Sequence, residues 1–389
     1  MKKAMHLLEA IGYIQDEYIT DAHQDNMERV NPHKKIMLIA FIAAIFLLLA
    51  GCAAFAWHWY TVYFTQIRQA PLSESQIEYI NENTQEHQFS QTYDGYTVEL
   101  KSTISESHFA YVTFGVTAPD GVDLSPVLDP TTEERLSLQG LFAATTETGF
   151  PANISYDVVD DGDGKKNTLN VVLKIDPANP HGETAAFGPG ILWTIEFSGI
   201  EKWGYNREYE QELLSTKYAG QADYILDSEE SNLVHPHTIL ATGNWKYEIE
   251  LESADSETIE LLSAPVSTKV LVVRIGASEY ETAESVEEIT LTSIQLGPLS
   301  ATIAFEKPEP IEKFDCVYIN ADQFGDAQLG GDEEKAIFLV MKDGTKVYFH
   351  QTDGAKEEAL LSADSPIALK EAAYLQLSDG TKLDISDSQ

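Results

Sequence analysis

Apolar and polar positions follow three different rules along this chain. Near the start, Leu7, Ile11, Ile14 and Tyr18 fall four, three and four residues apart, which lines them up on one helical face. Gly12 weakens that helix and Asp16 can cap a second one, so the segment reads as one or two short amphipathic helices. From Ile36 to Trp57 the chain runs IMLIAFIAAIFLLLAGCAAFAW, apolar on every side and free of charge. A helix of that length spans the hydrocarbon of a bilayer. From Tyr93 onward the period drops to two, as in half-buried strands.

The alternating part is dense. Tyr96, Val98 and Leu100 alternate with Thr97, Glu99 and Lys101, and Phe109 to Val116 form the second arm of a hairpin. Ile154 to Val159 and Leu169 to Ile175 make another, joined by Asp160 to Asn167, and Leu192 to Phe197 is a further strand. Glu208 to Tyr218 reads as a helical insertion, and Leu226 to Pro236 as a linker. Trp245, Tyr247, Ile249 and Leu251 then open a second β series that runs to the end of the chain. Two similar hairpins, MKDGTKVYF at Met341 and LSDGTKLDI at Leu377, carry Asp-Gly, which predicts tight primed turns. Before the strands, Ser73 and Gln76 have capping-box spacing ahead of Ile77 and Ile80, which predicts a short helix.

These patterns divide the chain into a cytoplasmic amphipathic arm (1–35), a transmembrane helix (36–57), a juxtamembrane segment (58–92) and two β domains (93–230 and 231–389). Many short strands with turn signals and few helices predict a mainly β protein with two immunoglobulin-like antiparallel β-sandwiches. Orientation follows from the flanks of the apolar run. Arg29, Lys34 and Lys35 precede it, and Trp57, Trp59, Tyr60 and Tyr63 follow it as an aromatic belt. The basic side faces the cytoplasm, which puts the β domains outside the cell.

Charge narrows the partners. The 389 residues carry 25 Lys and Arg against 63 Asp and Glu, a formal net charge of -38. Nearly all of it lies beyond Lys35, since basic and acidic residues almost balance before that point. Such a field repels nucleic acid and anionic lipid and favours cationic partners.

Little in the chain points to catalysis. Cys52 lies in the apolar run and Cys316 in the second β domain, so neither a disulfide framework nor a Cys-based zinc site is expected. Leu49-Ala50-Gly51-Cys52 has the form of a lipoprotein cleavage site, although the apolar run continues past it. The Asp- and Gly-rich loop from Asp160 to Asn167 resembles a calcium loop, but Lys165 and Lys166 stand where ligands are needed, so it reads as a solvated hairpin tip. His235-Pro236-His237 offers two imidazoles without a third ligand. Gly330 to Glu334 resembles a diguanylate cyclase signature but ends in Glu where that family has Phe. Trp203 and Tyr205 could stack on sugar or fill a core. No catalytic, cofactor or metal set is expected, and the chain reads as a non-enzyme. The arm stripe of Leu7, Ile11, Ile14 and Tyr18 has no core of its own to face. It suits either the membrane surface or a partner protein.

The arm LLEAIGYIQDEYITDA resembles a recurring opening of Gram-positive single-pass membrane proteins, with Leu7, Leu8, Ala10, Ile11, Gly12, Ile14, Asp16, Tyr18, Ile19 and Ala22 in place. Gln15 and Asp21 depart from it. DGYTVELKSTISESHFAYVTFGV, GNWKYEIEL, TLTSIQLGPL and VMKDGTKV resemble the ectodomain of the same group, a DUF4179-like domain of unknown function. The resemblance implies an anti-sigma-factor-like membrane regulator with a sigma factor or other cytoplasmic protein at the arm. The alternative is a surface binding or adhesion protein, lipid-anchored through Cys52 or not, whose arm is only an anchor.

Overall fold

The computed structural model describes residues 59–66, 71–106, 108–129, 131–177, 187–219, 226–251, 258–275, 282–306, 316–319, 336–351 and 357–385. The arm stripe, the apolar run with Cys52, and the 330–334 motif lie outside these residues. Among the described residues no helix is long and apolar enough to cross a membrane. They belong to one compact unit, Trp59–Gln389, which is mainly β and antiparallel.

Two sheets face each other in the first lobe. One runs in the order β1 (Gln85–Tyr93), β2 (Tyr96–Ser105), β3 (Ala110–Thr117), β7 (Thr168–Asp176), β6 (Asn153–Val159). The other is built on β8 (Leu192–Trp203), with β9 (His237–Glu250) along one edge. On β8's other edge β4 (Arg135–Gln139) and β5 (Phe142–Thr145) follow one another. Their inner faces share one core that includes Val98, Leu100, Phe114, Leu173, Trp193 and Trp245. Phe197 stacks on Trp245 at 5.2 Å between ring centres, and the Tyr247 hydroxyl donates to the Val98 carbonyl at 2.8 Å.

β9 departs from the expected domain division. Its alternation reads as the opening of a second domain at 231, yet it pairs with β8 from Leu192↔Glu250 to Trp203↔His237 and buries Trp245, Tyr247 and Ile249 in the first core. Period-two patterning identifies a strand but not its partner. The expected linker at Leu226 to Pro236 also differs, because it contains a helix. Here α1 is Glu74–Asn83, α2 is Arg207–Ser215 and α3 is Ser228–Val234. Asp227 and Glu230 form a capping box at the start of α3, and Leu213, Tyr218 and Val234 close a small cluster between α2 and α3. The box expected at Ser73 and Gln76 is present on α1.

The second lobe is one continuous sheet of ten strands around its own core, rather than two separate sheets. β10 (Ile259–Glu260) pairs with the end of β12 (Thr282–Leu296). From β12 the path runs one way to β11 (Val266–Ile275) and β14 (Cys316–Tyr318). The other way it runs through β13 (Ser300–Phe305), β17 (Glu358–Ala363), β16 (Lys346–Gln351), β15 (Phe338–Met341), β18 (Ala372–Gln376) and β19 (Lys382–Asp384). The two Asp-Gly hairpins form, but with other turns than expected. Within each of these turns only the glycine has positive φ, Gly344 and Gly380 at 88° each, and the Gly344 N–H bonds to the Met341 carbonyl. The glycine therefore sits one place later, as the left-handed bulge residue of a longer turn. Asp94 (φ 49°) and Gly95 (φ 79°), between β1 and β2, form the two-residue primed turn.

Three polar side chains join the lobes. The Leu299 N–H donates to Glu106 Oε2 at 2.9 Å, and Gln76 Nε2 donates to the Pro366 carbonyl at 2.6 Å. Lys174, over the Phe109 ring, donates to the Ser362 hydroxyl. Burial pushes the Glu106 carboxyl up to about 7 and the Lys174 ammonium down to about 8.

Candidate functional site

The central strands of the first sheet are buried on both faces. β3 is buried at Ala110 to Val116 without alternation, and β7 is nearly so throughout. The covering layer is a helical segment at 59–66. Tyr60 and Phe64 are fully buried there, and Trp59 and Tyr63 nearly so. The Tyr60 hydroxyl lies 3.1 Å from the Ser102 carbonyl and 3.0 Å from that of Tyr111. Phe64 and Tyr63 meet the Tyr111 ring at 5.2 and 5.9 Å, and Lys101 lies over the Trp59 ring at 5.0 Å. Burial pushes the Tyr60 and Tyr63 hydroxyls upward in pKa. Each such aromatic side chain taken from water stabilises the fold by roughly 1.5–3 kcal/mol. The expected aromatic belt is thereby corrected: Trp59, Tyr60 and Tyr63 face the sheet. The same residue types serve a lipid interface or a protein surface, and only the distant partner decides between them.

The outer edges of the two sheets meet along two seams, and one of them is open. At the first seam the Gln91 side chain of β1 bonds both the N–H and the carbonyl of Lys246 in β9. At the second, the chain entering β6 is held to β5 by the Ala152 N–H on the Ala143 carbonyl at 2.9 Å. Beyond that point β6 pairs only with β7, and β4 only with β8, among the described strands. The Tyr156 hydroxyl reaches across to the Leu136 carbonyl at 3.5 Å. A cleft of about 1190 Å³ opens there, floored by Tyr156 and Leu136 and walled by residues 127–129 and the start of α2.

The rim gathers residues that stand out in the sequence. Trp203 faces His237 across the β8–β9 pair, and their rings stack at 5.2 Å. One step along, Tyr205 stacks on His235 at 5.4 Å. The Gly204 N–H to Pro236 carbonyl bond at 2.8 Å continues the ladder between them, so alternation puts both ring pairs on one side. His235 and His237 are thus each committed to an aromatic ring. Among the described residues no group of three or more His, Cys, Asp or Glu is placed to hold a metal. Trp203 remains 39% exposed, with its indole N–H on Glu201 Oε2 at 3.0 Å. At the lip, Glu133 holds a left-handed backbone (φ 54°) and pairs with Arg207 at 2.6 Å. A non-glycine residue in that region carries strain that the surroundings must hold, as functional sites often do.

The Asp160 to Asn167 loop is held by its own side chains and by the chain following β3, where the Lys166 ammonium pairs with Asp123 at 3.1 Å and the Asn167 amide donates to the Ala118 carbonyl at 2.9 Å. Asp163 receives the Lys165 N–H at 2.7 Å and its ammonium at 2.8 Å, and these bonds hold the Asp163 carboxyl well below the usual range against a burial cost. The feature that sequence reasoning missed is the covering of β3 and β7. Its signal is Val171-Val172-Leu173, consecutive apolar residues that leave no polar face and so demand cover on both sides.

One residue belongs to both the cleft and the covered sheet face. Asp157 of β6 lines the cleft, and its Oδ2 accepts the Tyr63 hydroxyl at 3.1 Å.

No family model and no curated protein matches the chain. Among solved structures, it is similar to a conserved domain protein from Bacillus anthracis, at 9% identity over 76% of each chain and a TM-score of 0.39.

Proposed function

We propose that this protein is a non-enzymatic, single-pass membrane sensor or regulator. Its β lobes lie outside the cell, the first of them immunoglobulin-like in having two antiparallel sheets across one core. The arm contacts a cytoplasmic partner such as an extracytoplasmic-function sigma factor through Leu7, Ile11, Ile14 and Tyr18. The observation that carries the reading is the double role of Asp157. The helical segment at 59–66, just after the apolar run, packs on the sheet whose edge strand lines the cleft, so occupancy of the cleft would bear on that segment. A sensor needs such a link between its ligand site and its membrane-proximal chain.

Two experiments test the proposal. Cysteine labelling of intact cells should mark Ser90→Cys and spare sites before Lys35. A two-hybrid screen of the arm against the cell's sigma factors should give a signal that Ile11→Asp abolishes, because burying an unpaired carboxylate in an apolar contact is costly. Equal signals from both arms, or none from either, would favour the surface-binding alternative. Its own support is the Leu49-Ala50-Gly51-Cys52 sequence, and a diacyl mass on Cys52 would establish that anchor.

A further inference from the structure

We propose that the open seam between β4 and β6 binds an extended basic peptide by strand addition. This names the ligand class of the sensor site above and so rests on that reading. The backbone argument comes first. β6 from Asn153 to Val159 is an edge strand with partners on one side only, among the described strands, and so is β4. An unpaired edge offers N–H and carbonyl groups in the spacing that an incoming strand uses. Proteins usually cover or close such edges, and this lobe does so at its other seam through Gln91. Here the edge faces a cleft: past the Ala152–Ala143 bond, the short turn Ser125–Leu128 lies against both β4 and β6, and the Tyr156 hydroxyl crosses to the Leu136 carbonyl at 3.5 Å.

Side chains choose the sign of the ligand. Among the lining residues are five carboxylates, Asp129, Glu133, Glu134, Asp157 and Glu210, against two arginines. Arg207 pairs with Glu133 and Lys202 with Glu134, which leaves Asp129, Asp157 and Glu210 against Arg135. The chain as a whole carries a formal net charge of -38, which draws cations and repels anions at the encounter stage. The Trp203 ring at the rim, stacked on His237 by one face, is still 39% exposed, and that open part suits a Lys or Arg side chain. Leu136, Val158 and the Tyr156 ring supply an apolar floor. An extended chain turns alternate side chains to opposite sides, so a peptide of alternating apolar and basic residues meets floor and rim together.

Test the full-length protein in detergent micelles with a fluorescent Lys-Val-Lys-Val-Lys-Val peptide. The controls are its Glu-Val counterpart and a Lys-Val peptide N-methylated along one edge. The basic peptide should bind at least tenfold more tightly than either control, and more weakly as salt rises. Trp203→Ala and Glu210→Gln should each weaken it several-fold with the melting temperature nearly kept, and Trp203→Tyr should restore part of the loss. Equal binding of the N-methylated peptide would reduce the effect to charge attraction and overturn strand addition. No binding, or binding only of N-acetylglucosamine oligomers, would overturn the basic-peptide assignment. Because the readout is direct binding, either failure leaves the two-hybrid result for the arm standing as a separate answer on the sensor reading.

Discussion

The Tyr63 hydroxyl donates to Asp157 at 3.1 Å, tying the covering helical segment to the strand that edges the cleft. Tyr63→Phe keeps the ring contacts with Phe64 and Tyr111 and removes only this bond. The expected loss of stability is about 1 kcal/mol, measured by urea unfolding. If the bond carries the signal, a sigma-dependent reporter in cells should lose its response to the basic peptide, while purified protein binds that peptide as before. A reporter response equal to that of the unaltered protein would remove Tyr63 from the route.

Glu106 makes the joint between the lobes sensitive to pH. A free glutamate gives up its proton near 4.5, and burial moves Glu106 to about 7. Between those values the folded chain holds a proton that the unfolded chain has lost. Its contribution to stability is therefore full below about pH 4.5 and is lost as pH rises to about 7. The span corresponds to about 3 kcal/mol. Melting temperature followed from pH 4.5 to 7 should fall less in Glu106→Gln than in the unaltered chain. Parallel curves would place the pH dependence elsewhere.

Truncation tests the cover on the first sheet. A fragment starting at Trp59 should be β-rich and cooperative in unfolding. One starting at Tyr93 loses most of β1 and the cover over Tyr111, and should aggregate or melt at a clearly lower temperature. Equal melting of the two would mean that the covering segment adds nothing to stability.

Gly344 isolates a pure backbone effect. Its φ is 88°, and a Cβ added there would meet nothing within 4 Å. Gly344→Ala should cost about 1–2 kcal/mol by chemical denaturation, with Gly344→Asn costing less, because Asn tolerates the left-handed region better. A neutral Gly344→Ala would show that the hairpin changes its turn.

Strand positions and the α1 capping box were legible because both rest on local rules: period two and hydrogen bonding within a turn. What was not legible depends on long-range pairing. β9 carries the same alternation whether it opens a domain or completes one, and its pairing with Trp193 and Phe197 lies outside any local window. Of the candidate site, Trp203, Tyr205, His235 and His237 stand out in sequence one by one. Their stacking appears only when β8 and β9 run antiparallel in register. Asp157 gives no signal at all, since an acidic residue in an acidic chain looks like solvated surface.

Trp59, Tyr60, Tyr63 and Phe64 turn their rings inward, and this leaves the start of the β region without a greasy collar. A soluble fragment beginning at Trp59 should then ignore lipid: mixed with neutral or anionic vesicles and floated through a density step, it should stay at the bottom. Any hold on the bilayer would fall to the chain that precedes it, and the lobes themselves would hover in water.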